Sequence, residues 1–284
     1  MSRLYLSFLA ALSAAVAIAE EKPDILMIAI DDLRPMLGCY GDERIQTPNI
    51  DKLAASGVVF ERAYCQYAKC GTSRLSLMTG LRPGSIGVFS NNLRDVQKFR
   101  ETRPEIAGIG QWLKNEGGYH TQSWGKIYHD TWDDPRDWSV PSSPGRDREM
   151  WEIADPENPA KPTMIAERWD CPVMQSPNVP DDHLFAGRMT ADVLAFLRTR
   201  EEKIDLPVFL AVGYRRPHLP FIAPKKYFDL YQPDDSWLAK NPGPPEKSPV
   251  KAWFNSDGYV GGAKRIGLEM PRDPTREEAI AWNG

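Results

Sequence analysis

Four short clusters along the chain combine residue types that can do chemistry. Asp31-Asp32 places two acceptor-only carboxylates side by side, which suits a hard cation such as calcium or magnesium. The same dipeptide also serves as a solvated turn or a helix cap. Cys70-Gly71-Thr72-Ser73-Arg74 sets a sulfur side chain ahead of a helical segment, with Thr72 or Ser73 as its cap. Free N–H groups and the helix dipole favour anions there, and Arg74 adds a cation four residues on. The plainer alternative is a small buried Cys beside a surface Arg. Lys126 and His129, in Gly125-Lys126-Ile127-Tyr128-His129, supply a cation and a proton-transfer group, or simply a surface turn. Arg215-Arg216-Pro217-His218-Leu219-Pro220-Phe221 holds a histidine in a loop stiffened by two prolines. His120 and His183 fall inside a strand and at a helix start, where packing or capping is expected of them.

These clusters need elements to position them. Asp24 to Ile30 is a continuous apolar run, expected to be a strand buried on both faces as in a parallel sheet, with Asp31-Asp32 at its carboxyl end. Leu206 to Gly213 is a second such run, and Tyr119 to Trp124 a third strand directly before Lys126. Ligands of open α/β sheets bind at those carboxyl ends. Val58 to Phe60 reads as a further short strand. Helices are expected over Thr47 to Ala54, Thr72 to Thr79, Ile106 to Lys114 and His183 to Arg200, and a last one from near Thr275. Strands alternating with helices give an α/β fold with a mainly parallel sheet flanked by helices. Two stretches, near 130–180 and 232–270, are rich in Pro and polar residues and read as long surface loops.

The 284 residues suffice for a sizeable core, and a net charge of −4 with no long Lys/Arg run argues against a nucleic-acid partner. Arg3, the apolar stretch from Leu4 to Ile18 and Ala17-Ile18-Ala19 read as a signal peptide over 1–19, cleaved before Glu20. The stretch is shorter than the roughly 20 residues of a membrane span, and no later segment reads as one. Residues 20–284 are then an exported chain, periplasmic or secreted. Cys39, Cys65, Cys70 and Cys171 are too scattered for a disulfide scaffold and form no CxxC pair.

Taken together and in order, these pieces resemble type I sulfatases of the alkaline phosphatase-like superfamily. The resemblance rests on Lys22 to Leu26, Asp31-Asp32-Leu33-Arg34-Pro35, Leu37 to Asp42, Thr47 to Asp51, Cys70-x-x-Ser73-Arg74 and Thr79-Gly80-x-Arg82-Pro83. Gly125-Lys126, His129, Ala211 to Tyr214 and Pro217-His218 narrow it to the iduronate-2-sulfatase branch. It implies that Cys70 is oxidised by a formylglycine-generating enzyme and that a hydroxyl of the formylglycine hydrate attacks sulfate sulfur. Calcium would be held by Asp31, Asp32 and the modified Cys70. Arg74 would steady the diol and Lys126 a sulfate oxygen. His129 would assist elimination, and His218 would contact the sulfate and the departing oxygen. The implied substrate is a sulfated, uronate-containing saccharide, as in glycosaminoglycan degradation.

Two departures stand against full activity. Thr72 occupies the position where the family's conversion signal has Pro or Ala. The family's later Asp-Asn or Asp-His calcium pair and its further Lys have no match, and Asn255-Ser256-Asp257-Gly258 reads as a turn. The chain is therefore expected to stop before the site is complete. An inactive anion- or partner-binding remnant and a related phosphoesterase remain the alternatives.

Overall fold

The computed structural model describes residues 22–129, 132–142 and 174–232, with the short stretches 152–153, 158 and 164–165. Its centre is a parallel three-stranded sheet. β1 (Ile25–Ile30) and β2 (His120–Gly125) flank β6 (Val208–Tyr214), in the order β1-β6-β2. Pairing aligns Ile30 with Tyr214 and Gly125 with Gly213, so both neighbours end level with β6. Parallel strands that finish level deliver the residues following them to one edge. That edge receives Asp31, Lys126 and Arg215.

Helices cover both faces. On one side α2 (Cys70–Thr79), α4 (Leu93–Thr102) and α5 (Ile109–Asn115) contribute Leu75, Met78, Val96, Phe99 and Leu113 to a core shared with Phe209 and Ala211. On the other, Met189 and Val193 of α6 (Phe185–Lys203) pack on Trp124, Val208, Leu210 and Val212. Alternate residues of β6 thus enter different cores, which is why its sequence is continuously apolar. The remaining helices, α1 (Pro48–Ala55), α3 (Pro83–Ile86) and α7 (Lys225–Phe228), are short. β3 (Glu152–Ile153) pairs antiparallel with β4 (Met164–Ile165), and β5 (Met174–Gln175) pairs with β7 (Phe221–Ile222).

Two expectations are corrected. β1 is not buried on both faces: Leu26 and Ile28 are about half exposed, because β1 is an edge strand and the α6 core reaches only β6 and β2. Val58 to Phe60 is no strand. It has no ladder partner among the described residues, and Val58 and Phe60 lie largely in water. The stretch near 130–180 carries the two-residue strands β3, β4 and β5, and much of it lies outside the described residues. The signal peptide, Cys171, the Asn255–Gly258 turn and the helix from Thr275 lie outside the described residues. No helix among the described residues is long and apolar enough to cross a membrane.

Candidate active site

At the carboxyl edge of the sheet, Asp31 leaves β1 with its N–H still bonded to Tyr214 O at 2.9 Å. Its side chain is buried and accepts from two cations. Arg74 Nη2 donates to Oδ1 at 2.8 Å, and Lys126 Nζ donates to Oδ2. Burial alone would raise the Asp31 carboxyl. Lys126 and then Arg74 outweigh it and hold Asp31 below the usual carboxylate range. Arg74 also donates through Nη1 to the carbonyls of Lys126 and Ile127, at 2.5 and 3.0 Å. One guanidinium therefore ties α2 to the turns after β1 and β2.

Lys126 reaches this spot because the backbone crosses closely before it. Gly125 has φ +65°, and a Cβ there would collide with Gly213 O. With glycine at both positions, Lys126 N–H donates to Gly213 O at 2.8 Å and the Lys126 side chain turns inward, fully buried.

Cys70 is the first residue of α2, one helical turn before Arg74 and half-buried. The expected cap is corrected: Lys69 holds the N-cap position, and Thr72 lies buried inside the first turn with no hydrogen-bond partner for its hydroxyl among the described residues. The capping contact comes from elsewhere. Asn91 Oδ1 accepts from Gly71 N–H at 3.1 Å, and Asn91 Nδ2 donates to Cys70 Sγ at 3.4 Å. A side chain on Gly71 would meet both Asn91 and the Trp132 ring at 2.6 Å. Trp132 in turn packs on the His129 ring, with centroids 5.1 Å apart. Asn91 and Trp132 were not legible as site residues. The only sequence signal was a Ser-Asn-Asn helix start, which Asn92 uses to cap α4 through Arg94 N–H.

The loop after β6 brings in His218. Its Nδ1 lies 2.7 Å from Leu219 O, an acceptor, so Nδ1 carries the proton and Nε2 presents a lone pair. Burial, opposed by the Leu219 bond and by the aspartates, holds its pKa below the ordinary histidine value. Nε2 lies 3.9 Å from Asp32 Oδ2. Asp32 is half exposed and turned outward by a positive φ of 56°.

Of the seven residues singled out, Asp31, Arg74 and Lys126 bond directly, and Asp32 and His218 stand beside them. Cys70 joins through α2, and His129 through the Trp132 ring that also borders Gly71.

Ligand atoms of Asp31, Asp32 and His218 all lie within 4.8 Å of one another, an acidic corner that can take a metal ion. It is not a complete calcium site. Calcium takes about six to eight oxygens. The described residues offer two carboxylates and a nitrogen, and both Asp31 oxygens already accept from cations. Asn91 Nδ2, which donates to Cys70 Sγ, would donate equally to a hydroxyl at position 70.

A second buried pair supports the loop. Tyr128, between Lys126 and His129, donates its hydroxyl to Asp137 Oδ2. Asp137 Oδ1 accepts from Gln111 N–H in the first turn of α5 at 3.0 Å. Both residues are fully buried, which raises the Asp137 carboxyl despite these two bonds.

The chain is similar to known proteins over most of its length. The sulfatase family profile matches residues 23–250. Human iduronate 2-sulfatase is 34% identical over 239 residues, covering 81% of this chain and 41% of that protein. A sulfatase of Formosa agariphila is 31% identical over 226 residues, covering 74% and 42%. The chain thus spans about two-fifths of the length of these relatives. The phosphonate monoester hydrolase of Silicibacter pomeroyi shares the fold, with a TM-score of 0.55 at 19% identity over 92% of this chain and 56% of its own. With four-fifths of its residues inside the matched range and its Cys-x-x-Ser-Arg helix anchored beside paired aspartates, the chain belongs to the sulfatase family.

Proposed function

We propose that the chain carries the nucleophile-bearing part of a sulfuric ester hydrolase site of the iduronate 2-sulfatase type. It acts after export on a sulfated, uronate-containing saccharide. The observation that supports this most is the binding of Arg74 and Lys126 to Asp31 at the sheet's carboxyl edge, one helical turn from Cys70. Formylglycine at position 70, formed by a formylglycine-generating enzyme, would supply as its hydrate the hydroxyl that attacks sulfur and expels the alcohol, and deprotonation of the second hydroxyl would eliminate the sulfate and restore the aldehyde. The residues around it have separate tasks. Asn91 orients the side chain at 70. Arg74 steadies the diol and Lys126 holds a sulfate oxygen, and Asp31 keeps both ordered. His218, neutral with Nε2 bare, contacts the sulfate and the departing oxygen, and His129 assists the elimination step. Asp31, Asp32 and the modified Cys70 are the share of a calcium shell that the described residues would supply, and the remaining oxygen donors are not among them.

That shortfall favours a second reading, an anion-binding remnant that does not turn over. One experiment separates them. The chain is co-expressed with a formylglycine-generating enzyme, Cys70 conversion is measured by mass spectrometry, and an aryl sulfate and a sulfated uronate are assayed with calcium. Partial conversion and poor turnover are expected of the chain as it stands, with Thr72→Ala raising the converted fraction. Turnover abolished by Cys70→Ala supports the hydrolase. Sulfate binding with no turnover by fully converted protein supports the remnant.

A further inference from the structure

Two aromatic residues lie within a few positions of Cys70 and of its partner Asn91, and neither side chain belongs to the core clusters. Tyr67 precedes Cys70 by three residues, and its carbonyl accepts from Lys69 N–H at 2.8 Å, so the chain turns tightly between them. Phe89 precedes Asn91 by two residues, and Asn91 holds Cys70 Sγ. Chain geometry keeps both residues on the order of 10 Å from that sulfur. Their rings meet with centroids 6.0 Å apart at 62°, one offering a face where the other offers an edge. Tyr67 remains 37% exposed and Phe89 50%. Lys69, between Tyr67 and Cys70, is exposed as well.

An open aromatic corner with a cation at its lip has a definite chemical complement. The π face is negative, so it attracts the polarised C–H bonds along one side of a ring, while polar substituents around the ring's rim stay in water. A pyranose has that shape and polarity. Lys69 adds charge complementarity for a pyranose bearing sulfate or carboxylate.

We propose that Tyr67 and Phe89 form a stacking platform for the pyranose ring carrying the scissile sulfate, with Lys69 supplying positive charge for its anionic substituents. This deepens the sulfatase reading and rests on it for the identity of the ligand. Position 70 would then receive the sulfate while the sugar lies against the corner, so the platform selects for ring shape and the helix start for the ester.

Calorimetric titration of the purified chain tests this with three probes: a sulfated uronate-containing disaccharide, its desulfated form and inorganic sulfate. Tyr67→Leu and Phe89→Leu keep apolar bulk and remove the aromatic face. Each is expected to weaken both disaccharides about tenfold and to leave inorganic sulfate unchanged, while Tyr67→Trp binds them like the parent chain. Unchanged disaccharide affinity in both Leu variants overturns the platform. So does failure of the parent chain to bind either disaccharide, and so does a parallel loss of inorganic sulfate, which marks a structural role. Leu variants that change only self-association assign the corner to a second copy of the chain, which also overturns it. Equal binding of the two disaccharides with no binding of inorganic sulfate removes the sulfatase reading, while aromatic-dependent affinity keeps the platform.

Discussion

Asp31 is the residue on which the site turns, because it neutralises two cations that are themselves out of water. Lys126 is fully buried and Arg74 nearly so. Taking away one partner of a buried ion pair leaves an uncompensated charge, which costs about 3–5 kcal/mol. Asp31→Asn keeps the size and removes the charge. It is expected to lower the urea unfolding free energy by about that much near neutral pH. The pH dependence follows from the direction of the shift. Asp31 has a folded pKa below its unfolded value, so its contribution is complete above the ordinary carboxylate range and fades as pH falls through the lower folded value. The gap between parent and variant should therefore close in acid. A gap that stays constant from neutral pH to below the carboxylate range would mean that the cost of Asp31→Asn is packing, not charge.

Among the elements, the segment from β2 to the turn at Pro135–Asp137 is fixed by contacts distant in sequence. Thr121 Oγ1 donates to Asp137 O at 2.7 Å, and the Asp137 carboxylate ties the start of α5 to Tyr128. The Lys126–His129 turn is thereby pinned at its middle. Burial raises the Asp137 pKa, and Asp134 nearby adds to it. A carboxyl with a raised folded pKa binds its proton more tightly when folded. Stability then declines as pH rises from the ordinary value of 3.8 through the raised one, and levels off above it. Asp137→Asn, which imitates the protonated form, is expected to flatten this decline in a series of urea titrations from acid to neutral pH. Tyr128→Phe should keep a decline and cost about 1–3 kcal/mol through the lost buried hydrogen bond. An Asp137→Asn profile parallel to that of the parent chain would show that this pair does not set the slope.

On the scale of the molecule, the described sheet leaves apolar surface in water. Leu26 and Ile28 of β1 are half exposed, and Leu194 and Leu197 of α6 are exposed too. An edge strand with an uncovered apolar face invites association with other chains. The expressed chain should therefore self-associate with rising concentration. The double variant Leu26→Lys, Ile28→Lys should reduce that association in light scattering while the far-ultraviolet circular dichroism is retained. Association undiminished by the two lysines would place the sticky surface elsewhere, with the exposed Val58, Phe60 and Tyr64 as the next region to alter.

The sequence by itself determined the parallel α/β architecture and the places where the strands stop. For β1 and β6 both can be read from uninterrupted apolar runs followed by polar clusters, whereas β2 carries polar residues and is marked only by its place after a helix and before Gly125-Lys126. Its order of motifs, through their resemblance to sulfatases, also singled out Asp31, Asp32, Cys70, Arg74, Lys126, His129 and His218 as candidates. Which of them touch was not legible. The Arg74–Asp31–Lys126 cluster joins residues up to 95 positions apart, and it exists because β1, β6 and β2 finish level and α2 begins at Cys70, not after it. Asn91 and Trp132 escaped for the same reason, since an amide and an indole in a loop carry no signature until folding sets them against the start of a helix. The half-exposed face of β1 is likewise a tertiary matter: periodicity tells that a residue is apolar, but whether a helix reaches far enough to cover it depends on where α6 lies across the sheet.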